Sequence, residues 1–256
     1  MPDTLPLSLV VITRDAASEL AECLASADFA AEALVVDSGS RDDTVQIAER
    51  SGARVIAHEW LGFGAQKQFA VERAAHDWVL CLDADERVSP ALAAAIRAAF
   101  AGGEPAAFAY AIARRNRFLG RWLRHGEGYP DWTVRLFDRR RAHWSDDAVH
   151  ERVVTAGAPA RLAGDLMHAS AESLDAYIAK QNRYTTLQAA AIHARGGHAS
   201  FARLALAPVS RFLRFYVLKL GFLDGAAGFA HIAIGAFASF LKYAKLRALD
   251  AEARSR

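Results

Sequence analysis

Cysteine is scarce. The 256 residues include two, Cys23 and Cys81, which cannot build a disulfide framework, and nothing else in the chain asks for an oxidising compartment. Cys-rich and His-rich spacings are missing too, which argues against a structural zinc site. The opening Met1-Pro2-Asp3-Thr4 lacks the basic start and long apolar run of a signal peptide, so a cytoplasmic location is expected. No internal repeat or low-complexity linker interrupts the chain. No RNP, helix-turn-helix or zinc-finger pattern accompanies its basic clusters, so nucleic acid is not an expected partner. What is present is a composition of 53% hydrophobic and 23% charged residues, enough to bury a substantial core and to exclude wholesale disorder.

The net charge of +2 conceals a gradient. Residues 1–109 carry 8 Lys/Arg against 17 Asp/Glu, a balance of −9, and residues 110–143 carry 9 against 3, or +6. After a stretch at −1, residues 203–256 return to +6. Basic segments separated by an acidic body point to anionic partners at two places; by charge alone the candidates are phosphorylated substrates, nucleic acid and acidic lipid.

The first half alternates short apolar runs with helical patterns, the signature of a layered α/β sheet. Strands are predicted at Leu7–Ile12, Ala33–Val36, Ala53–Ala57 and Trp78–Leu82. Between them lie a helix with Leu20, Cys23 and Leu24 on one face, a second opened by Asp42 or Asp43 and closed at Gly52, and a third over Phe63–Ala75. Ser89-Pro90 sets a capping residue before a proline at the first position of an alanine-rich helix that ends at Phe100. After Gly102-Gly103 strands are predicted at Phe108–Ala113 and Thr133–Phe137, around an arginine-rich loop. Ser173–Arg195 reads as a long helix with Leu174, Ile178, Tyr184, Leu187 and Ile192 on a stripe, and residues 201–247 read as two more.

Chemistry concentrates at Asp83-Ala84-Asp85-Glu86, directly after the strand Trp78–Leu82. A buried strand that delivers two carboxylates at i and i+2 puts both at its carboxyl end, where open α/β sheets bind ligands. Mg²⁺ takes one or two carboxylates together with substrate phosphates and waters, so the pair suits a metal–diphosphate complex. A solvated acidic turn has the same pattern. Val35-Val36-Asp37-Ser38-Gly39-Ser40-Arg41-Asp42-Asp43-Thr44 adds a strand, a tight polar turn and a helix start that can hold a nucleobase and ribose, and Thr13-Arg14-Asp15 ends the first strand on the same edge.

Together these elements resemble the nucleotide-sugar-binding half of family 2 glycosyltransferases, over about Leu7 to Phe100. Ser38 stands where the commonest turn of that family has a second acid, which leaves Asp37 as the base contact the resemblance implies. Further segments narrow the likeness: Trp60–Gln68, Tyr129–Phe137, Val149–Val153, Lys180–Thr186 and Gly221-Phe222-Leu223-Asp224-Gly225. In order along the chain, they resemble the branch of lipopolysaccharide-core β-1,4-glucosyltransferases that extend the inner-core heptose.

The resemblance implies a GT-A fold, a nucleotide-diphospho-sugar donor, Mg²⁺ or Mn²⁺, and inversion at the anomeric carbon. Thr13, Arg14, Asp37, Ser38 and Gly39 would then line the donor, with Asp83 on the ribose or metal and Asp85 on the metal that bridges the diphosphate. Glu86 would support this pair. Lys67 would meet donor phosphate, although a lysine on an exposed helix face is the plainer reading. His150 and His168 would be further metal ligands once phosphate and Asp85 are in place. Inversion needs a carboxylate that deprotonates the acceptor hydroxyl. Among Asp131, Asp146, Asp147 and Glu151, the resemblance favours Glu151 and makes Asp131 the runner-up. The forks of Arg115, Arg117, Arg121 and Arg124, near Arg114, suit a phosphorylated lipid-linked oligosaccharide acceptor.

The expected organisation is a GT-A α/β domain over 1–170 and a C-terminal helical extension over 171–256. Gly221–Leu241 is long enough to span a membrane but contains Asp224, His231 and four glycines. Its flanking basic and aromatic residues fit helices lying on an anionic surface, and a buried helical subdomain fits equally well. The expected activity is hexose transfer, from UDP-glucose, to lipid-linked heptose at the inner face of the inner membrane. The same chemistry on another acceptor, metal-dependent nucleotidyl transfer and non-catalytic sugar-nucleotide binding are the alternatives.

Overall fold

Strict alternation along the first strand decides the layering. In a computed structural model that describes residues 4–146, 151–169 and 173–254, β1 (Leu5–Thr13) sends Leu7, Leu9 and Val11 into one core and Val10 and Ile12 into another. A strand with helices over both faces has no solvent side, which is why Leu7–Ile12 is almost continuously apolar. The elements that follow are α1 (Leu20–Ala25), β2 (Ala30–Asp37), α2 (Thr44–Arg50), β3 (Arg54–Ala57), α3 (Phe63–Arg73), β4 (Trp78–Asp83), β5 (Glu86–Val88), α4 (Pro90–Phe100) and β6 (Ala109–Phe118). After them come β7 (Arg121–Trp122), β8 (Asp131–Asp138), β9 (Ala142–Trp144), β10 (Val153–Thr155), β11 (Ala160–His168), α5 (Leu174–Ala194), α6 (Phe201–Leu213) and α7 (Gly225–Arg254).

Among the described residues the main sheet runs β3-β2-β1-β4-β8-β6-β11-β5, with β7 paired to β6. The strands β1 to β4 are mutually parallel, and β8 is antiparallel to both β4 and β6. Leu20, Cys23 and Leu24 of α1 and Leu92, Ile96 and Phe100 of α4 cover one face. Ala70 and Val71 of α3 cover the other. Both cysteines are buried and free. The Ser89 cap is present, its Oγ accepting from the Leu92 amide. The amide of Thr44 is taken by Asp42, not Asp43. Strands β5, β9 and β11 were not legible in the sequence.

The chain forms two compact units, Met1–Arg114 with Asp131–Ala169, and Arg115–Pro130 with Ser170–Arg256. The excursion 115–130 lies inside the span expected for the first domain yet belongs to the helical unit. There the carboxylate of Asp224, 2% exposed, accepts the backbone amides of Arg124 and His125, each at 2.8 Å. That contact gives the Gly221–Gly225 segment a structural role. In the same unit α5 and α6 both pack on α7. The expected stripe on α5 is only partly its covered face. Leu174, Ile178 and Leu187 are exposed. Tyr184 and Ile192 are half-buried, with Ile192 packed on the Ala189–Leu246 cluster, and Thr185 and Ala189 are buried beside them.

Gly164 sits in β11 at φ +91°, where a Cβ would lie 2.7 Å from Leu92 Cα and 2.8 Å from the Ala91 carbonyl carbon. Backbone cannot yield as a side chain can, and a non-glycine residue at this φ is strained as well. Gly164→Ala is therefore expected to cost about 3 kcal/mol or more, combining overpacking with strain. Urea denaturation followed by circular dichroism checks this.

Candidate active site

Parallel pairing brings the donor-side residues together. Thr13 stands opposite Asp37 across β1 and β2, and Ile12 stands opposite Asp83 across β1 and β4. The strand order reverses between β1 and β4, so this edge is the switch point at which open α/β sheets form a crevice.

The turn after β2 is built around Asp37, which is 4% exposed. Its carboxylate accepts from Thr13 Oγ1 at 3.1 Å, from the amides of Gly39 and Ser40 at 3.0 and 2.9 Å, and from the Ser40 hydroxyl. The side chain expected to meet a nucleobase is thus committed to holding the turn, with Gly39 at φ +82°. Ser38 Oγ accepts from Gln66 Nε2 at 3.0 Å. Arg14 is exposed. Asp15 adopts φ +50°, a conformation aspartate tolerates better than most residues, and accepts the Arg41 amide at 2.8 Å. The loops after β1 and β2 are thereby zipped together.

Beyond the turn runs a line of alternating charges. Glu151 Oε1 lies 3.1 Å from Lys67 Nζ, which lies 3.1 Å from Asp83 Oδ1. Asp83 Oδ2 and Glu86 Oε1 share Arg135 Nη2, each at 2.7 Å. Glu86 also lies 3.6 Å from Arg114 Nη1, and Arg114 grips Asp131 Oδ2 through Nε at 2.9 Å and Nη2 at 2.7 Å. The two candidate bases therefore mark the ends of one network. Lys67 is 5% exposed, which removes the plainer reading of an exposed helix lysine. Trp144 lies under it, 4.7 Å from Nζ to the ring centre. Gly64, one turn earlier on α3, makes room for this arrangement, since a Cβ there would collide with the Ser145 carbonyl.

Burial would raise the Asp83 carboxyl, but Arg135 and then Lys67 overcome it and hold it well below the usual carboxylate range. Burial likewise opposes ionisation of Asp85, and the hydrogen bond and the charge of His168 together outweigh it, so the carboxyl lies below its ordinary value. Asp85 Oδ2 lies 3.1 Å from His168 Nε2. Among the described residues no group of three His, Cys, Asp or Glu side chains could hold a metal unaided. Asp85 and His168 supply an oxygen and a nitrogen within reach of one ion, and the oxygen ligands of a bound diphosphate would have to complete the shell. Asp83 has each oxygen on a cation, so it is placed to fix Lys67 and Arg135. His150 and Asp147 lie outside the described residues.

Arg115, Arg117, Arg121 and Arg124 belong to the second unit. Arg115 and Arg117 donate to the carbonyls of Leu123 and Gly120, and Arg121 donates to that of Leu223. Sequence reasoning passed over Arg135, although it had a signal. A charged residue in the apolar run Thr133–Phe137 is 3% exposed, and such a residue needs a buried counter-charge.

Arg135→Met would leave Glu86, which is fully buried, without its closest cation. Breaking a buried pair from one side costs about 3–5 kcal/mol. Asp83, with its folded pKa depressed, adds stability at neutral pH that is lost as pH falls below the ordinary carboxylate value. The wild type is expected to lose stability more steeply on acidification than Arg135→Met, as read by urea denaturation across pH.

Residues 8–158 match the model of the "Glycosyl transferase family 2" family. An uncharacterized glycosyltransferase of Rickettsia typhi is 32% identical over 97% of this chain and 89% of its own length. The lipopolysaccharide core biosynthesis glycosyltransferase LpsC of Rhizobium meliloti is 30% identical over 94% of this chain and 92% of its own. Among solved structures, Staphylococcus aureus TarS 1–349 in complex with UDP-GlcNAc aligns with 98% of this chain and 92% of that one, at 14% identity and a TM-score of 0.46. The family match spans the donor half, and the relatives match nearly end to end; this chain belongs to glycosyltransferase family 2, with the GT-A fold and a homologue in lipopolysaccharide core biosynthesis.

Proposed function

We propose that this glycosyltransferase moves a hexose, glucose from UDP-glucose, onto a hydroxyl of a lipid-linked oligosaccharide, the heptose of the lipopolysaccharide inner core. It would do so with inversion, at the cytoplasmic face of the inner membrane. The observation that carries the reading is Lys67, which touches the donor-side Asp83 and the candidate base Glu151 at 3.1 Å each. One cation thus ties the carboxylate that frames the leaving diphosphate to the one that would receive the acceptor proton. The name of LpsC supports the acceptor class, and the branch resemblance supports the donor.

In this reading Thr13, Ser38 and Gly39 line the nucleoside end, with Asp37 holding their turn and Arg14 open to the diphosphate. Asp85 and His168 hold Mg²⁺ or Mn²⁺, which when bound neutralises charge on the leaving diphosphate. Lys67 adds a cation beside it. Glu151 takes the proton of the acceptor hydroxyl, at a carboxylate that meets a lysine through one oxygen. Asp131 fits this role less well, because the Arg114 fork occupies it from two nitrogens. Arg115, Arg117, Arg121 and Arg124 would recognise phosphate on the acceptor.

A mass-spectrometric donor screen with core-oligosaccharide acceptors tests the whole. Transfer with release of UDP is expected, and release of pyrophosphate would instead mean nucleotidyl transfer. Chelator or Asp85→Ala is expected to abolish transfer with folding intact, and full activity in excess chelator would refute the metal role. Glu151→Gln is expected to lower kcat by about 10²-fold or more with donor binding nearly unchanged, as for a lost general base. If Asp131→Asn shows that loss and Glu151→Gln does not, Asp131 is the base.

A further inference from the structure

We infer that the outward face of α6 and the turn after it form the surface by which this chain docks onto an anionic lipid bilayer, with the adjoining cavity taking a lipid phosphate headgroup. The inference rests on the proposed transfer to a lipid-linked acceptor and gives that reading a physical contact.

Helix α6 has no fully buried residue. At 3.6 residues per turn Ala202, Leu206, Val209 and Leu213 share one side, and Leu206, Val209 and Leu213 are 64%, 53% and 52% exposed. Val217, Leu218 and Leu220 extend the apolar surface past the end of the helix, with Leu218 at 77%. The opposite side is satisfied, since Phe212 stacks on Tyr216 at 5.0 Å and meets Phe229 of α7 edge-on at 5.8 Å. Arg203, Ser210 and Arg214 lie along the seam between the two sides. An apolar stripe bordered by arginines is the arrangement of helices that lie in a membrane interface.

Charge decides between lipid and a protein partner. Residues 201–223 contain Arg203, Arg211, Arg214 and Lys219 and no Asp or Glu. A surface of one sign, and apolar, matches an anionic leaflet. Ser210, Arg211, Arg214 and Phe215, with Glu127, line a cavity of about 570 Å³ at the seam. Arg211 is already held by Glu127 and by Ser239 Oγ at 3.0 Å. Arg214 meets the Phe215 ring, 5.5 Å to its centre, and no carboxylate among the described residues. It is the guanidinium left for a phosphate.

The helical run Gly221–Ala253 is long and apolar enough to cross a membrane, but charged groups toward its C-terminal end have partners inside the unit. Lys245 Nζ donates to Asn182, Thr185 and Thr186, and Asp250 faces His193 and His198. That helix is the spine of the unit. Helix α6, with the π-helical turn Arg214–Leu218 that continues it, carries three arginines, Arg203, Arg211 and Arg214, a composition that suits a helix lying flat rather than one that spans.

Cosedimentation of the full chain with phosphatidylcholine vesicles, with and without phosphatidylglycerol, tests this. Binding is expected only with the anionic lipid, and high salt is expected to weaken it. Replacing Arg203, Arg214 and Lys219 by Gln is expected to lower partitioning by about fivefold per residue, on the order of a hundredfold together. The double variant Leu206→Asp/Leu213→Asp is expected to abolish binding while transfer to a soluble acceptor fragment and the circular dichroism spectrum stay unchanged. Three results would overturn the inference: no binding of wild type to anionic vesicles, binding that survives both sets of changes, or a wild-type dimer that the double variant splits, which would make this face an interface between copies. Soluble transfer measured on the same preparations reports separately on the proposed reaction, so loss of that reading and loss of this one are distinguishable.

Discussion

Everything at the sheet edge depends on the burial of Glu86 beside Arg135. Glu86 has no exposed surface and Arg135 is 3% exposed, so either one alone would be a buried charge without compensation, and each makes the other's position obligatory. Glu86 also accepts the Asp83 amide at 3.0 Å, which fixes the backbone just where β4 ends. Through Arg135 the carboxylate of Asp83 is then aimed, and through Asp83 the ammonium of Lys67. Three segments separate in sequence, around Lys67, Asp83–Glu86 and Arg135, are locked into one geometry by charge rather than by apolar contact. Hydrophobic packing would not specify oxygen positions so narrowly, because it is non-directional.

The sheet supplies the place for this network. With β1 between β2 and β4, side chains leave three parallel strands at the same edge, and the antiparallel β8 beside β4 brings Arg135 up from the opposite direction. An all-parallel sheet would have put residue 135 at a different height relative to Asp83. The short β5 turns the chain back against β11, in a register that sets His168 opposite Glu86, and so carries an imidazole to Asp85. Mixed strand direction is therefore part of how the site is assembled.

Much of this could be read from the residues. Leu7–Ile12, Trp78–Leu82 and Ser89-Pro90 declared their elements because burial on both faces, or a cap before a proline, leaves a local mark. Asp83, Asp85 and the Asp37 turn were legible for the same reason, as polar residues set directly after apolar strands. Long-range pairings were hidden. Nothing near Lys67 announces that its partners are 16 and 84 residues away. Nothing in Leu174–Ile192 says that its large apolar residues Leu174, Ile178 and Leu187 stay exposed while the small Thr185 and Ala189 are covered. The count of basic residues in the tail also overstated its free charge. Arg211 and Lys245 are consumed inside the second unit, and Arg247 donates to the Ala199 carbonyl.

The carboxylates sort themselves by what satisfies them, and that ordering separates architecture from chemistry. Asp37 and Asp224 are met by backbone amides, partners that cannot leave without unfolding a turn. Glu86 is met by Arg135 and by the Asp83 amide, and is closed to solvent. Such groups hold their neighbours in place but have no capacity to exchange partners during a reaction. Asp85 and Glu151 differ. Among the described residues each faces one side chain, an imidazole and a lysine, and each keeps about a quarter of its side chain open, at 28% and 21%. Each is held through a side chain and not through backbone amides, so exchanging that partner for an anion or a metal breaks no turn. A site that must bind, react and release needs carboxylates of the second kind resting on carboxylates of the first. In this chain the first of them is Asp85, next to the closed Glu86, and the second is Glu151, one lysine away from the Asp83 that Arg135 holds.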